Sequence, residues 1–223
     1  NGDGYILATF TSNMSFGSYA YKAFADGLKY KFLLIETRGD GSWKGYKEIG
    51  ESDSYESFNI CIDKASNFFI STFPQGNLRM DNERINTPGR SKPLFMKLDS
   101  NMHLLWYRVS VWNNKMISYS DLTFDESNNI WCIGVDSISH LIELDTGGNV
   151  LKEMNFGTRD LEIIEFSVAR SNDLWLLCNL QNGGYVDING TKYHTDSNSN
   201  DLRRYLFIRL DKSDLKVKWC GIT

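Results

Sequence analysis

LFMKLDSNMHLLW, residues Leu94 to Trp106, reads as strand, tight turn, strand. An apolar run (Leu94, Phe95, Met96, Leu98) enters Asp99-Ser100-Asn101, whose short polar side chains can bond nearby backbone and close a turn. A second apolar run then ends on Trp106. Three other stretches share this plan. Phe32 to Trp43 (FLLIETRGDGSW) keeps the same Phe-to-Trp separation, and Leu141 to Lys152 (LIELDTGGNVLK) keeps it with Lys in place of Trp. Phe207 to Trp219 (FIRLDKSDLKVKW) lengthens it by one residue. Four copies of one strand pair make a repeat protein the leading reading.

A second element marches in step with the first. ICIDKASNFFIST (Ile60 to Thr72), LTFDESNNIWCIG (Leu122 to Gly134) and FSVARSNDLWLLC (Phe166 to Cys178) each enter a turn and leave as an aromatic-rich strand, with Asn67, Asn129 and Asp173 aligned. A truncated copy opens the chain, with Gly4 at the matching position. Nearly the same step separates Phe32 from Phe95 and Asn67 from Asn129, so both elements report one repeat. Each unit holds four strands, a to d, with tight turns between a and b and between c and d. The units cover about 1–52, 53–115, 116–158 and 159–223. Length varies between b and c: Thr11 to Lys31, Pro74 to Pro93, Val135 to Ser139 and Asn179 to Arg204. A core cannot absorb such changes, so these segments are expected as surface loops or extra hairpins on one edge.

Four-stranded antiparallel units repeated around a ring describe a β-propeller, and the expected fold over 1–223 is all-β with about four such blades. Val, Ile, Phe, Tyr and Trp fill the strands, and the three prolines (Pro74, Pro88, Pro93) lie outside them. Only Phe24 to Tyr30 and Asp160 to Glu165 read as stretches that would manage a helical turn. A β-sandwich, the competing architecture, would not produce two motifs in step. Strand a of the first unit is missing, so these repeats are expected to form part of a larger propeller.

The pattern of Asp, turn, Asn, aromatic strand, then Phe-x-x-Lys-Leu-Asp, turn, Leu-Trp resembles the bacterial propeller repeats of the SBBP type. Asp125 to Trp131 (DESNNIW), Phe95 to Asp99 (FMKLD) and Phe207 to Asp211 (FIRLD) carry the resemblance. NNIWCIG followed by LIELDTGGNV is also similar, more faintly, to NHL and streptogramin-lyase propellers. The resemblance implies a propeller in a secreted, cell-surface or virion protein and transfers no catalytic residues. Unit 1 departs from it at Glu36 and Arg38-Gly39, and unit 3 lacks the terminal Trp.

Composition narrows the function classes. With 223 residues and 41% hydrophobic content the chain can bury a sizeable core. Lys+Arg number 24 against 28 Asp+Glu, without a basic block, which argues against a nucleic-acid surface. No apolar run approaches the roughly 20 residues of a membrane span. Cys61, Cys132, Cys178 and Cys220 sit apart in apolar runs and read as buried free thiols rather than disulfides or zinc ligands. His103, His140 and His194 are equally scattered.

Candidate chemistry is thin, and neither catalytic residues, a metal nor a cofactor is expected. Asp63, Asp99, Asp125, Asp145 and Asp211 recur at equivalent turns, so they read as turn formers whose carboxylates bond backbone amides. Trp43, Trp106 and Trp219 end equivalent strands and read as packing residues, with sugar stacking the alternative for an exposed indole. Asp196 to Asp201 alternates oxygen ligands but lacks the glycine and glutamate of a calcium loop. Arg38-Gly39-Asp40 is an integrin-type tripeptide and also what a hairpin turn needs. Asn13-Met14-Ser15 and Asn189-Gly190-Thr191 match the glycosylation sequon.

The expected function is therefore a non-enzymatic binding or scaffolding propeller that holds a protein or glycan through its long b to c segments. The candidate contact residues are Phe16, Tyr19 and Tyr21 in unit 1, Arg79, Arg84 and Arg90 in unit 2, and Tyr185 and Tyr193 in unit 4. The alternatives are a purely structural part of a surface or virion assembly and, third, an enzyme with a site in the central channel.

Overall fold

The computed structural model describes residues 4–16, 19–21, 30–54, 58–74, 76–81, 83–85, 93–112, 115–158, 160–181, 184–188, 190–194 and 203–222. All regular structure among them is β. The chain opens with β1 (Gly4–Phe10), a small hairpin of β2 (Met14–Phe16) and β3 (Tyr19–Tyr21), then β4 (Tyr30–Thr37) and β5 (Trp43–Ser52). β6 (Phe58–Ile62) and β7 (Phe68–Thr72) lead through a second hairpin, β8 (Leu78–Met80) and β9 (Glu83–Ile85), to β10 (Leu94–Leu98) and β11 (Leu104–Val109). A short pair, β12 (Val111–Trp112) and β13 (Lys115–Met116), precedes β14 (Ser118–Phe124), β15 (Ile130–Val135), β16 (Ser139–Leu144) and β17 (Val150–Asn155). Last come β18 (Leu161–Val168), β19 (Asp173–Gln181), a third hairpin of β20 (Tyr185–Ile188) and β21 (Thr191–His194), β22 (Arg203–Asp211) and β23 (Val217–Ile222).

These strands form four main sheets in the orders β1-β4-β5-β8-β9, β6-β7-β10-β11, β14-β15-β16-β17 and β18-β19-β22-β23. The last three are the a-b-c-d meanders expected from the repeat. Residues Leu161 to Glu165, expected as a helical turn, lie instead in β18. Leu161 and Ile163 are buried and alternate with exposed Glu162, a period of two that suits a strand, and they pair with Leu180 and Cys178. Phe24 to Lys29, the other stretch expected to turn, fall outside the described residues.

One turn chemistry recurs. At Asp99, Asp125, Asp145 and Asp211 the aspartate carbonyl accepts the amide of a residue three or four positions on, and that residue has positive φ: Met102, Asn128, Gly148 and Leu215. Each is a short hairpin connection of three residues, or four at Asp211, closed by a left-handed residue. The carboxylate locks it from the side. Asp145 Oδ1 accepts the amides of Gly147 and Asn149, both at 2.8 Å, and Asp99 Oδ1 accepts those of Asn101 at 2.8 Å and His103 at 2.9 Å. In the first sheet Arg38 takes the position of the turn aspartate, and Asp40 supplies the carboxylate, accepting the Ser42 amide at 2.8 Å.

The register after the turn is nevertheless the same in both sheets, Thr37 pairing with Trp43 as Leu98 does with Leu104. Lys97 pairs with Trp106, whereas Glu36, in the matching place, pairs with Gly45, and Trp43 pairs with Thr37. Trp43 therefore lies on the opposite face from Phe32, against Leu33, Ile35, Ala8 and Phe10. Trp106 shares its face with Phe95, ring centroids 5.7 Å apart. The equal Phe-to-Trp spacing in sequence does not translate into equal placement, because the turn of the first sheet falls two residues later after its Phe, which leaves Trp43 at the place of Leu104, on the turn side of the bulge.

The chain divides into two compact units, residues 1–60 with 65–110 and residues 61–64 with 111–223. In the first unit the β8–β9 hairpin, although it interrupts the second repeat, extends the first sheet: Gly50 pairs with Met80 and Ser52 with Leu78. Leu78, Met80 and Ile85 are buried there. A Cβ on Gly50 would collide with the Arg79 carbonyl and the Met80 sulfur, which accounts for glycine at this close approach. The face of the first sheet bearing Tyr5 and Phe32 packs on the second through Tyr5–Phe68 and Phe32–Phe58 edge contacts, at 5.2 and 4.4 Å between centroids.

In the second unit Trp131, Ile133 and Leu141 of the third sheet share one core with Leu174, Leu176, Leu206, Ile208 and Leu210 of the fourth. The two sheets bury themselves differently. Every residue of β16 is buried, but β19 and β22 alternate, so the fourth sheet is covered on one face only. Two adjacent substitutions test this. Ile208→Ala, at 0% exposure, should cost about 2–5 kcal/mol in urea unfolding through lost burial and the cavity left behind. Phe207→Ala, at 38% exposure on the open face, should cost clearly less than Ile208→Ala.

Candidate functional site

The three long b to c segments each form a hairpin, and the sequence-selected contact residues lie on them. In β2–β3, Phe16 pairs with Tyr19 and Met14 with Tyr21. In β8–β9, Arg79 pairs with Arg84. In β20–β21, Tyr185 pairs with His194 and Val186 with Tyr193. Phe16 and Tyr19, and Arg79 and Arg84, are thus paired candidates, whereas Tyr185 and Tyr193 fall at alternate register positions and are not brought together. Arg90 lies outside the described residues, as do Asn189 and the calcium-like stretch 196–201.

The β20–β21 hairpin is the best-defined of the three. Its turn holds Gly190 at φ +83°, with the Gly190 amide donating to Asp187 Oδ1 at 2.9 Å. Alternation then splits the hairpin into two faces. Val186 and Ile188 enter the core of the unit, and Tyr193 packs half-buried beside them, its hydroxyl hydrogen-bonded with the Cys220 thiol. Burial and the neighbouring Cys220 push the Tyr193 phenol above its ordinary value, so it stays neutral. On the other face Tyr185 is 49% exposed, with the His194 ring 5.8 Å and the Lys192 ammonium 5.9 Å from its ring centre. Between the hairpin and β23 runs a cleft of about 320 Å³, lined by Ile188, Thr191 and Tyr193 and by Lys216, Lys218 and Trp219.

Of the arginines, Arg79 pairs with the buried carboxylate of Glu51, which also meets Lys31 at 2.7 Å. Its guanidinium is half-exposed and partly committed to that network. Arg84 beside it is exposed and, among the described residues, makes no ion pair.

A second, larger cleft of about 690 Å³ lies at the a–b turns, between Lys64, Asp125, Glu126 and Arg170. The Lys64 ammonium donates to the Glu126 carbonyl. Asp125 is committed on both oxygens: Oδ1 accepts the Asn129 amide at 3.0 Å, and Oδ2 accepts the Trp131 indole at 3.3 Å and the Lys212 ammonium at 3.1 Å. Burial works to raise the Asp125 pKa, but the Asn129 amide, Lys212 and Trp131 outweigh it and hold the carboxyl below its usual range. That carboxylate is a fastener, with three of its roughly four acceptor sites taken by Asn129, Trp131 and Lys212. Sequence reading identified Asp125 as a turn former and gave no signal that Lys212, far along the chain, would reach it.

The only buried histidine among the described residues is His140. Its Nδ1 lies 2.6 Å from Glu153 Oε1 and its Nε2 3.2 Å from Asp136 Oδ1, so the ring fastens the short β15–β16 turn to β17. All four cysteines are free, and Cys61, Cys132 and Cys178 are buried. Burial pushes the Cys178 thiol up to about 12 and raises Cys61 and Cys132 as well, so none of these is a thiolate nucleophile near neutral pH. Among the described residues no three His, Cys, Asp or Glu side chains converge for a metal ion. Nor is any helix there long and apolar enough to cross a membrane.

No family model matches the chain, and no curated protein does. Among solved structures the chain is similar to a protein of unknown function from Bacteroides caccae, with 11% identity over 86% of this chain and 68% of that one and a TM-score of 0.39. That likeness is too slight to bear on fold or function.

The depressed carboxyls set a pH dependence. Asp173, held low by Arg209, Lys218 and Ser171, behaves as Asp125 does. A carboxyl whose folded pKa lies below its unfolded value of about 3.9 contributes fully above that value and loses its contribution as pH falls through the folded one. The urea midpoint should therefore hold from neutral pH down to about 5 and fall below about 4. Asp125→Asn should lower the midpoint at pH 7 and flatten its acid limb. An acid limb unchanged in that variant would contradict this role for Asp125.

Proposed function

We propose that the chain is a run of β-propeller blades belonging to a secreted, cell-surface or virion protein, and that it acts as a binding or scaffolding module for a protein or glycan. The observation that carries the reading is the fate of the long b to c segments. All three become hairpins, each an addition to a repeat that needs only four strands. Extra structure added to a regular scaffold is where binding surfaces are commonly built.

The β20–β21 hairpin supplies the most specific surface. Tyr185 presents an exposed ring flanked by His194 and Lys192, while Val186 and Ile188 anchor the opposite side. A rigidly anchored aromatic with polar neighbours loses little side-chain freedom on binding, and it suits a sugar ring or a peptide side chain. The adjoining cleft adds Thr191, Tyr193 and Trp219. Arg84 on β8–β9 offers a cation for an acidic partner.

A structural role in an assembly has its own support, the open aromatic face of the fourth sheet. An enzymatic role has less. In the a–b turn cleft Asp125 is committed to Asn129, Trp131 and Lys212, and the described lining residues include neither a histidine nor a cysteine or serine nucleophile.

Glycan-array binding of the whole chain, followed by titration of any hit with Tyr185→Ala and Lys192→Ala, tests the proposal. Truncating a central aromatic contact should weaken binding by about tenfold or more, with the unfolding midpoint nearly unchanged because Tyr185 is exposed. Binding that survives both hairpin substitutions and Arg84→Ala would remove the hairpins from the recognition surface.

A further inference from the structure

We infer that the open face of the β18-β19-β22-β23 sheet is a docking surface for another four-stranded sheet of this same repeat type. Alignment of Asn129 with Asp173 sets Trp131 and Ile133 in the third sheet against Trp175 and Leu177 in the fourth, and the turn aspartates Asp145 and Asp211 set Leu141 against Phe207. The pairings confirm that each trio occupies one face: Ile133 opposes Leu141, and Leu177 opposes Phe207. In the third sheet this face is covered. Trp131, Ile133 and Leu141 are 0–1% exposed and lie in the core shared with the fourth sheet. In the fourth sheet it is open. Trp175 is 41%, Phe207 38% and Trp219 50% exposed.

The same rule governs the first unit. The face of the first sheet bearing Phe32 and Tyr5 packs on Phe58 and Phe68 of the second. In the second sheet the matching residues Phe69 and Phe95 are both 0% exposed. Among the described residues, the fourth sheet is the one whose matching face is open to solvent, with large aromatics where a solvated face would carry polar residues.

The covered interface states what the occupant must look like. Trp131 is met by alternating aliphatic residues of the fourth sheet, Leu174, Leu176, Leu206, Ile208 and Leu210. An equivalent aliphatic face would meet Trp175 in the same way. A depression of about 220 Å³ beside Trp175, Leu177 and Phe207 would admit such side chains. The Trp175 and Trp219 rings are tilted by 52° at 6.3 Å, which suits interdigitation with a second sheet better than flat stacking on a sugar. Arg209 lies over Trp175 and is tied to Asp173 at 2.8 Å, so the indole is held in place before anything docks.

The inference shares only Trp219 with the hairpin reading, and its test touches neither Trp219 nor any hairpin residue of the parent chain. Ser167→Cys places a thiol on the open face opposite Trp175. The rate of its alkylation, read by peptide mass spectrometry, is compared between the parent chain and a chain extended by a second copy of residues 159–222 that retains serine at this position. The appended copy offers the aliphatic face that covers Trp131. Alkylation should slow several-fold in the extended chain, and Trp175→Glu in the parent sheet should restore it. An appended repeat that stays sensitive to protease, or that folds while the thiol reacts at the parent rate, overturns the assignment. Concentration-dependent slowing in the unextended chain, matched by self-association in sedimentation velocity, overturns it in favour of a second copy of the chain.

Discussion

An aspartate carboxylate accepting backbone amides at the start of a turn is the smallest interaction in this structure on which the rest depends. At Asp99 and Asp145 it takes two amides, and at Asp125 and Asp211 one. Each bond is worth only about a kilocalorie or two. Its effect is on register. By closing the same turn at the same place it decides which residue of one strand faces which residue of the next, and so which side chains enter the core. In the first sheet, where Arg38 holds the aspartate's place, Asp40 supplies the carboxylate and the register is kept: Thr37 meets Trp43 as Leu98 meets Leu104.

With register fixed, the sheets can pack by a common rule. The face that carries Leu141 in the third sheet and Phe32 in the first lies against a neighbouring sheet within the same unit. Burial follows from that packing rather than from composition. Trp131 and Trp175 stand at matching positions of the repeat, in SNNIW and SNDLW, yet one is fully covered and the other 41% exposed. Hydrophobic identity alone does not determine burial; the presence of a neighbouring face does. The polar fastenings work at the rims of these faces, as when Lys212 reaches Asp125 and Arg209 and Lys218 reach Asp173.

Much of the fold was legible in the sequence because strand period and turn chemistry are local. Asn67, Asn129 and Asp173 marked the b strands, FMKLD and FIRLD the c strands, and the variable segments proved to be hairpins. Three things were not legible. The attachment of β8–β9 to β5 is a long-range pairing that leaves no local mark, and the placement of Trp43 depends on a turn that falls two residues later than the Phe-to-Trp spacing suggests. The reach of Lys212 to Asp125 joins residues far apart in sequence. Of the contact candidates, Tyr185 and Arg84 face solvent, while Tyr193 leans on the core and Arg79 is shared with Glu51. Alternation along a three- or four-residue strand could have separated Tyr185 from Tyr193, since Val186 and Ile188 already mark the inner face.

Hydroxyl-radical footprinting of the unmodified chain tests the central claim most directly, that sheets of one repeat pack by one rule and leave the last face uncovered. Trp131 and Trp175 serve as matched probes of the same chemistry. The account predicts that Trp131 resists oxidation until the chain unfolds, while Trp175 and Trp219 oxidise readily in the folded state. Equal rates at Trp131 and Trp175 would contradict it.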